Sequence, residues 1–593
     1  MTQICWVKTG IPLVIVSLLT LLIVGNDYRE HWKFSQDHAT VGHDATTWIP
    51  PLFTLQGHRG FAGNYVNDYF LSSLPYGYRL LGWTTKGLID PTTLSRNLPY
   101  LIMLATAICV GIAVKPMAGM MASWLAMSLA MASPGIFYDA VGAIPRSFAF
   151  LFIAATAACL VRNRPVALAL VCVLGALFYP VCIVISGATL GIWLMFYRWL
   201  PGTDDGQQGF VQSWPKRWML LAGTGIVCVG LALPILIRTT HEYGPNILGT
   251  DDLELYPEAG PHGNNWYLQT KSSFPGVLAK TTVGTIFGRP LPWQQVDQRR
   301  QEKELLVPGL GLSGLTLMAL VGLVVAIVQK GHIYRLGPLV LVMCLTFGAA
   351  ELFHPYLYIS QRYVRFILPI LLVILVPYGL SQFCALWLGR LKPTAIAPGL
   401  YGLICASFFF LFGSLGGGIP AASGVNVATP ELEEVFNAVQ NLPEESLIAG
   451  WPDATSMTME MLPFHGRRPV LLNYKSHLPL HRDYVLEMRQ RMNALIDVFF
   501  GSNLDPILRL REEYGVTHLL IDKLLIHRNY FYYFAPYDQR IEKLRPLGAS
   551  RQLWNHSVIQ SAMIYQNRRY FLIELSRLET PNQSSVVNTP NKS

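Results

Sequence analysis

The sequence predicts a polytopic all-α membrane bundle of about eleven transmembrane helices, followed by a small C-terminal α/β domain. Three observations carry this. Of 593 residues, 52% are hydrophobic and 14% are charged, whereas a soluble domain usually carries about a quarter charged residues. Apolar windows long enough to cross roughly 30 Å of hydrocarbon recur through residues 1–414. The composition then changes abruptly, and short apolar strands alternate with amphipathic helical stretches up to Leu578.

The windows lie near 10–26, 98–114, 118–134, 147–161, 166–180, 182–197, 218–237, 309–329, 336–353, 364–386 and 396–414. The first run, Ile11 to Gly25, lacks a small-x-small cleavage site before Asp27-Tyr28-Arg29-Glu30, so it reads as a retained span. Lys8, Lys115, Arg162, Arg164, Arg198, Lys216, Arg217, Lys330, Arg335, Arg390 and Lys392 all fall on one side when the N-terminus is cytoplasmic. That register makes 27–97, 239–308 and everything after about 415 extracytoplasmic, and these segments carry nearly all the acidic residues. Tyr179-Pro180 interrupts the pair 166–180 and 182–197, which reads either as a tight hairpin or as one broken helix.

Three regions are therefore expected: a transmembrane part, 1–414, an extracytoplasmic α/β domain, 415–578, and a disordered Asn/Ser/Thr/Pro-rich tail, 579–593. Thr429-Pro430-Glu431 reads as a capped helix start after Gly416-Gly417-Gly418. Strands are expected at Ser446–Ala449, Val470–Leu472 and His518–Ile521, with helices over 482–499 and 504–514. All nine cysteines lie in or beside apolar runs without a CxxC pair, so neither disulfides nor a zinc site is expected. The net charge of +9 is spent on membrane orientation, which leaves no basic stripe for nucleic acid.

Chemistry is expected at the outer face. A carboxylate held near the membrane surface can deprotonate an acceptor hydroxyl or ligate a metal beside a departing phosphate. The first long loop offers Asp44 and Asp68 foremost, with Asp27 as a third catalytic candidate. Magnesium or manganese is the cofactor such carboxylates leave open; no metal ligand set is assigned. Guanidinium groups at outer helix ends suit lipid-linked phosphates, because they bind oxyanions bidentately and stay charged in low dielectric. Arg146, Arg362 and Arg365 sit at such ends, with Tyr363 and His354 beside the latter pair and Arg79 as a weaker candidate. Arg59 is of the same weaker kind. Glu258, in Leu255-Tyr256-Pro257-Glu258 before His262-Gly263-Asn264-Asn265-Trp266, completes the substrate-binding set, since aromatic and amide groups suit sugar recognition.

One span, a long acidic loop, many further spans and a terminal α/β domain resemble the GT-C superfamily of membrane glycosyltransferases. The chain looks closest to bacterial GT-C-like membrane proteins of unassigned substrate, through Asp44 to Phe53, Asn67-Asp68-Tyr69, Pro75-Tyr76-Gly77-Tyr78-Arg79, Ile144-Pro145-Arg146-Ser147-Phe148-Ala149, Gln361-Arg362-Tyr363 and Tyr514-Gly515-Val516. It lacks both the adjacent Asp-Glu pair of the mannosyltransferase and aminoarabinose branches and the Trp-Trp-Asp-Tyr-Gly of oligosaccharyltransferases. The resemblance implies a polyprenyl-phosphate sugar donor, a first-loop aspartate acting at the acceptor, and an envelope glycan, lipid or protein as acceptor at a bacterial inner membrane. A catalytically silent glycan-binding or scaffold protein of the same fold is the alternative. A lipid or solute transporter is disfavoured, because the spans carry almost no charge at their centres.

Overall fold

The computed structural model describes residues 24–196, 213–247, 252–264, 273–286, 320–324, 332–353, 359–388, 419–528, 531–545 and 553–578, with Leu18, Leu22 and Ile327. The expected spans at 10–26, 309–329 and 396–414 fall wholly or largely outside these residues, as do Gly416 to Gly418 and the tail from 579. The chain divides into two compact units. The first comprises 1–56, 71–242 and 267–427, and the second 57–70, 243–266 and 428–593.

The first unit is helical, and its apolar helices make this a membrane protein. Among the described residues four helices are long and apolar enough to cross a bilayer: Pro91–Ala132, Trp214–Tyr243, Ile333–Leu352 and Gln361–Leu386. Pro91–Ala132 is two helices joined at Gly119, whose φ of 83° breaks the helical run, so the windows 98–114 and 118–134 form its two arms. Asp90 caps its start by accepting from the Thr92 N–H at 2.9 Å. Shorter apolar helices follow at Pro145–Val161, Pro165–Phe178 and Ile183–Phe196. The stretch around Tyr179-Pro180 resolves into two arms. The Pro165–Phe178 helix stops before an extended Tyr179, and a π-helical turn, Ile183–Gly187, leads into Ala188–Phe196, which touches the first arm.

Two short strands tie the start and the end of this unit together. Strand β1 (Thr40–Gly42) pairs antiparallel with β2 (Val425–Val427), and the His43 N–H continues the ladder onto the Gly424 carbonyl at 2.9 Å. The pairing needs close backbone approach behind it. A Cβ on Gly42 would lie 2.6 Å from the Gly142 Cα, and Gly142 itself has a φ of 85°. Ser95 and Tyr78 hold the same turn by donating to the Gly142 carbonyl at 2.7 Å and the Ala143 carbonyl at 2.5 Å.

The second unit is α/β. Its four-stranded sheet has the order β3-β4-β6-β5, with β3 Ile448–Gly450, β4 His518–Asp522, β5 Met563–Gln566 and β6 Tyr570–Glu574. The β3–β4 pair is parallel and the other two are antiparallel. β3 and β4 match the expected strands, whereas Val470 makes only an isolated bridge to Ile448. The helices Pro430–Gln440, Arg482–Phe500 and Asp505–Tyr514 occupy the expected stretches. Thr429 caps the first through the Leu432 N–H, and Gly515 ends the last at a φ of 68°. The segments 57–70 and 243–266 join this unit through aromatic packing: Tyr69 stacks on Tyr484 with ring centroids 3.7 Å apart and meets Tyr243 edge-on at 5.0 Å.

A candidate anion-handling site in the helical unit

In the first unit, segments distant in sequence converge on a chain of alternating charges. Asp44 follows β1 and opens the short helix Ala45–Trp48. Its Oδ2 accepts from Arg146 Nη2 at 2.7 Å, and its Oδ1 lies 3.9 Å from His43 Nε2. Arg146 stands in the single turn Pro145–Phe148 that leads into Ala149–Val161. The Nε of Arg146 lies 3.7 Å from Oδ1 of Asp139, and Asp139 also receives the fork of Arg365, from Nε at 3.0 Å and Nη2 at 2.7 Å. Arg365 stands in the first turns of Gln361–Leu388.

Burial grades along this chain. The Asp139 side chain is only 2% exposed, Asp44 and Arg146 are about a quarter exposed, and Arg365 is half exposed. A carboxylate as buried as Asp139 persists only because guanidinium groups replace its lost water. Arg362 lies within electrostatic reach of Arg146 and opposes its charge. Three guanidinium groups and two carboxylates are thus gathered along this chain. Arg365 retains the Nη1 edge of its fork beyond the Asp139 bond, a donor edge that suits an oxyanion.

The other candidates stand elsewhere or are otherwise used. Asp27 accepts from the Ile419 N–H at 3.1 Å, a bond that fixes chain ends within the helical unit. Arg79 caps a helix end, donating to the carbonyls of Leu71, Ser72 and Leu74 at 2.8 Å each. Tyr363 is buried, with 6% exposure, and His354 lies outside the described residues. Asp68 and Arg59 belong to the second unit. Among the described residues no three His, Cys, Asp or Glu converge as metal ligands, and both carboxylates of the site face arginines.

Glu258 is structural in this geometry. Its side chain is fully buried within the second unit, where Arg489 donates to both carboxylate oxygens at 2.7 Å and the Tyr537 hydroxyl donates to Oε1 at 3.0 Å. Polarity alone had suggested an exposed sugar-recognition loop. Loop composition does not tell which carboxylate will turn inward to meet an arginine far along the chain. Asp453 is likewise engaged locally, accepting from Thr455 and Ser456 N–H groups at 3.1 and 2.9 Å to form a turn.

Asp139 joins this cluster without having been singled out from the sequence. It sits in Pro134–Ala140, between two apolar windows, and reads as part of a turn. The available signal was its place, an ionisable residue flanked by apolar runs, where burial without a partner is costly.

No protein-family model and no curated protein matches the chain. Among solved structures, the oligosaccharyltransferase AglB of Archaeoglobus fulgidus, determined with an inhibitory peptide and a dolichol-phosphate, aligns over 87% of this chain and 69% of its own at 11% identity, with a TM-score of 0.47. ArnT of Cupriavidus metallidurans aligns over 98% of this chain and 100% of its own at 12% identity, with a TM-score of 0.36. Both neighbours are GT-C glycosyltransferases, the superfamily that the sequence resembles, and at this level of similarity the likeness bears on neither reaction nor residues.

Proposed function

We propose that the chain is a membrane glycosyltransferase that moves a sugar from a polyprenyl-phosphate carrier to a cell-envelope acceptor at the outer face of a bacterial cytoplasmic membrane. The observation that carries this reading is the Asp44–Arg146–Asp139–Arg365 chain, two carboxylates alternating with two guanidinium groups within a bundle of apolar helices.

In the reaction so read, the acceptor O–H gives its proton to the Asp44 carboxylate as the acceptor oxygen attacks the anomeric carbon. The bond from that carbon to the carrier phosphate breaks, and the departing phosphate oxygen keeps the electron pair. Arg146 and Arg365 face the charge that develops there, which is where fixed cations in low dielectric lower a barrier most. Asp139 holds the Arg365 fork in one orientation, so that no reorganisation is needed during transfer. Asp68 and Asp27 are the alternative bases.

The test is consumption of a labelled polyprenyl-phosphate sugar by the purified chain in proteoliposomes. Asp44→Asn is expected to reduce transfer by about 10²- to 10⁴-fold, the usual worth of a general base. A loss confined to Asp68→Asn or Asp27→Asn would reassign the base. One observation favours a silent scaffold: Asp139 and one oxygen of Asp44 are already satisfied by arginines. That reading prevails when Asp44→Asn, Asp68→Asn and Asp27→Asn all transfer as the wild type does, or when the wild type transfers nothing.

A further inference from the structure

A cavity of about 640 Å³ opens beside Arg365 in the helical unit. Its walls come from Pro134–Ala140, from one face of the Phe274–Ile286 helix, from the start of Gln361–Leu388 and from the strand-leading stretch 420–424. Val277, Lys280, Thr281 and Thr285 line it at helical spacing, so one face of that helix is turned inward. Most of the lining is apolar, including Val277, Pro134 and Pro369, and its cations are Lys280 and Arg365. Lys280 makes no ion pair among the described residues, and Arg365 spends only Nε and Nη2 on Asp139. The volume is that of an ordinary ligand pocket.

An unpaired ammonium and a half-engaged guanidinium above an apolar wall suit one chemistry: a phosphate carrying a hydrocarbon chain. A hydrated inorganic phosphate gains nothing from the wall, and a neutral lipid gains nothing from the cations. We infer that this cavity receives the phosphate and the first part of the chain of the carrier lipid, with Lys280 and Arg365 on the phosphate and Asp139 as the residue that positions Arg365. The inference rests on the glycosyl-transfer reading and adds to it a place for the donor and a residue, Lys280, that the sequence did not single out. Because the donor's phosphate lies against Arg365, its sugar extends toward Arg146 and Asp44 along the same chain of charges.

The probe is a short-chain polyprenyl monophosphate without sugar, titrated against the purified full-length protein and read by native mass spectrometry and thermophoresis, so that binding is measured apart from transfer. Lys280→Ala is expected to weaken binding about tenfold, the equivalent of one charge-assisted hydrogen bond, and Lys280→Arg to recover most of it. Thr281→Trp, which fills the cavity, is expected to abolish binding while the melting temperature shows the chain folded. The corresponding alcohol without phosphate is expected to bind no better to the wild type than to Thr281→Trp. Wild-type binding that survives both Lys280→Ala and Thr281→Trp overturns the cavity assignment and leaves the transfer reading standing. Equal competition by phosphatidylglycerol overturns the assignment to the carrier, because it makes the cavity a general anionic-lipid groove. A wild type that binds no lipid phosphate overturns both.

Discussion

Asp139 shows what a single buried carboxylate does for its neighbours. Its oxygens hold the fork of Arg365 from 226 residues away and stand near Arg146 Nε, so the amide of Asp139→Asn would leave Arg365 without its counter-charge and Arg146 with Asp44 alone. Breaking a buried pair from one side costs about 3–5 kcal/mol, and the half-exposure of Arg365 places the expected loss at or below the lower end of that range. Thermal melting of the purified variant should drop accordingly, and transfer should fall with it. A variant that melts and transfers as the wild type does would show that the Asp139 charge is dispensable. Arg146 and Arg365 drew notice in the sequence because guanidinium groups at outer helix ends suit oxyanions. Their partner did not, since nothing local marks a contact between residues so far apart. Glu258 is the converse case: its loop reads as a recognition surface, yet Arg489 holds its carboxylate in the interior.

At the scale of elements, the site depends on how closely β1 approaches the turn at Gly142. Gly42→Ala would bring a methyl group against backbone, which cannot yield as a side-chain tip can, so β1 and the following Asp44 must shift. A displacement of about 1 Å at a catalytic group costs on the order of 10²-fold in rate, and that loss in transfer, with the protein still folded, is the expected outcome. In the second unit the packing of Arg482–Phe500 against its neighbours sets a pH dependence. Burial, aided by Arg489, holds His477 down to about 3, and burial holds His481 down to about 4, against an ordinary 6.5. Both are neutral when folded and take up protons on unfolding, so their stabilising effect is complete above 6.5 and is lost as pH falls toward 4 and 3. Burial raises Glu460 to about 7 from 4.5, so its contribution is complete below 4.5 and is lost as pH rises through 7. The two histidines outweigh the one carboxyl below 6.5, which places the melting maximum of this unit near neutrality. Glu460→Gln should remove the decline through pH 7 and steepen the acid limb between 6.5 and 4.5, where the carboxyl opposes the histidines. An acid limb of the same slope in the wild type and in Glu460→Gln would rule out a protonated Glu460 in the folded unit.

At the scale of the whole molecule, hydropathy marked the apolar helices because crossing a bilayer demands a run of apolar residues that no other signal imitates. The division into units was less legible. Residues 57–70 and 243–266 looked like loops of the membrane part, but Tyr69 and Tyr243 pack on Tyr484, and such contacts leave no local periodicity to read. Orientation rests on charge asymmetry alone: Arg162 and Arg164 share a turn that the positive-inside rule assigns to the cytoplasm, whereas His38 precedes Asp44 in a stretch assigned to the outside. His38 and Arg164 are both exposed, which makes each a usable reporter. With the native cysteines replaced by serine, a membrane-impermeant maleimide should label His38→Cys in intact cells and Arg164→Cys only after permeabilisation. Because His38 and Asp44 are six residues apart, the label reports on the side that holds the charged site. The reverse pattern would place that site in the cytoplasm, where an envelope acceptor cannot reach it, and transfer at the outer face would have to be given up.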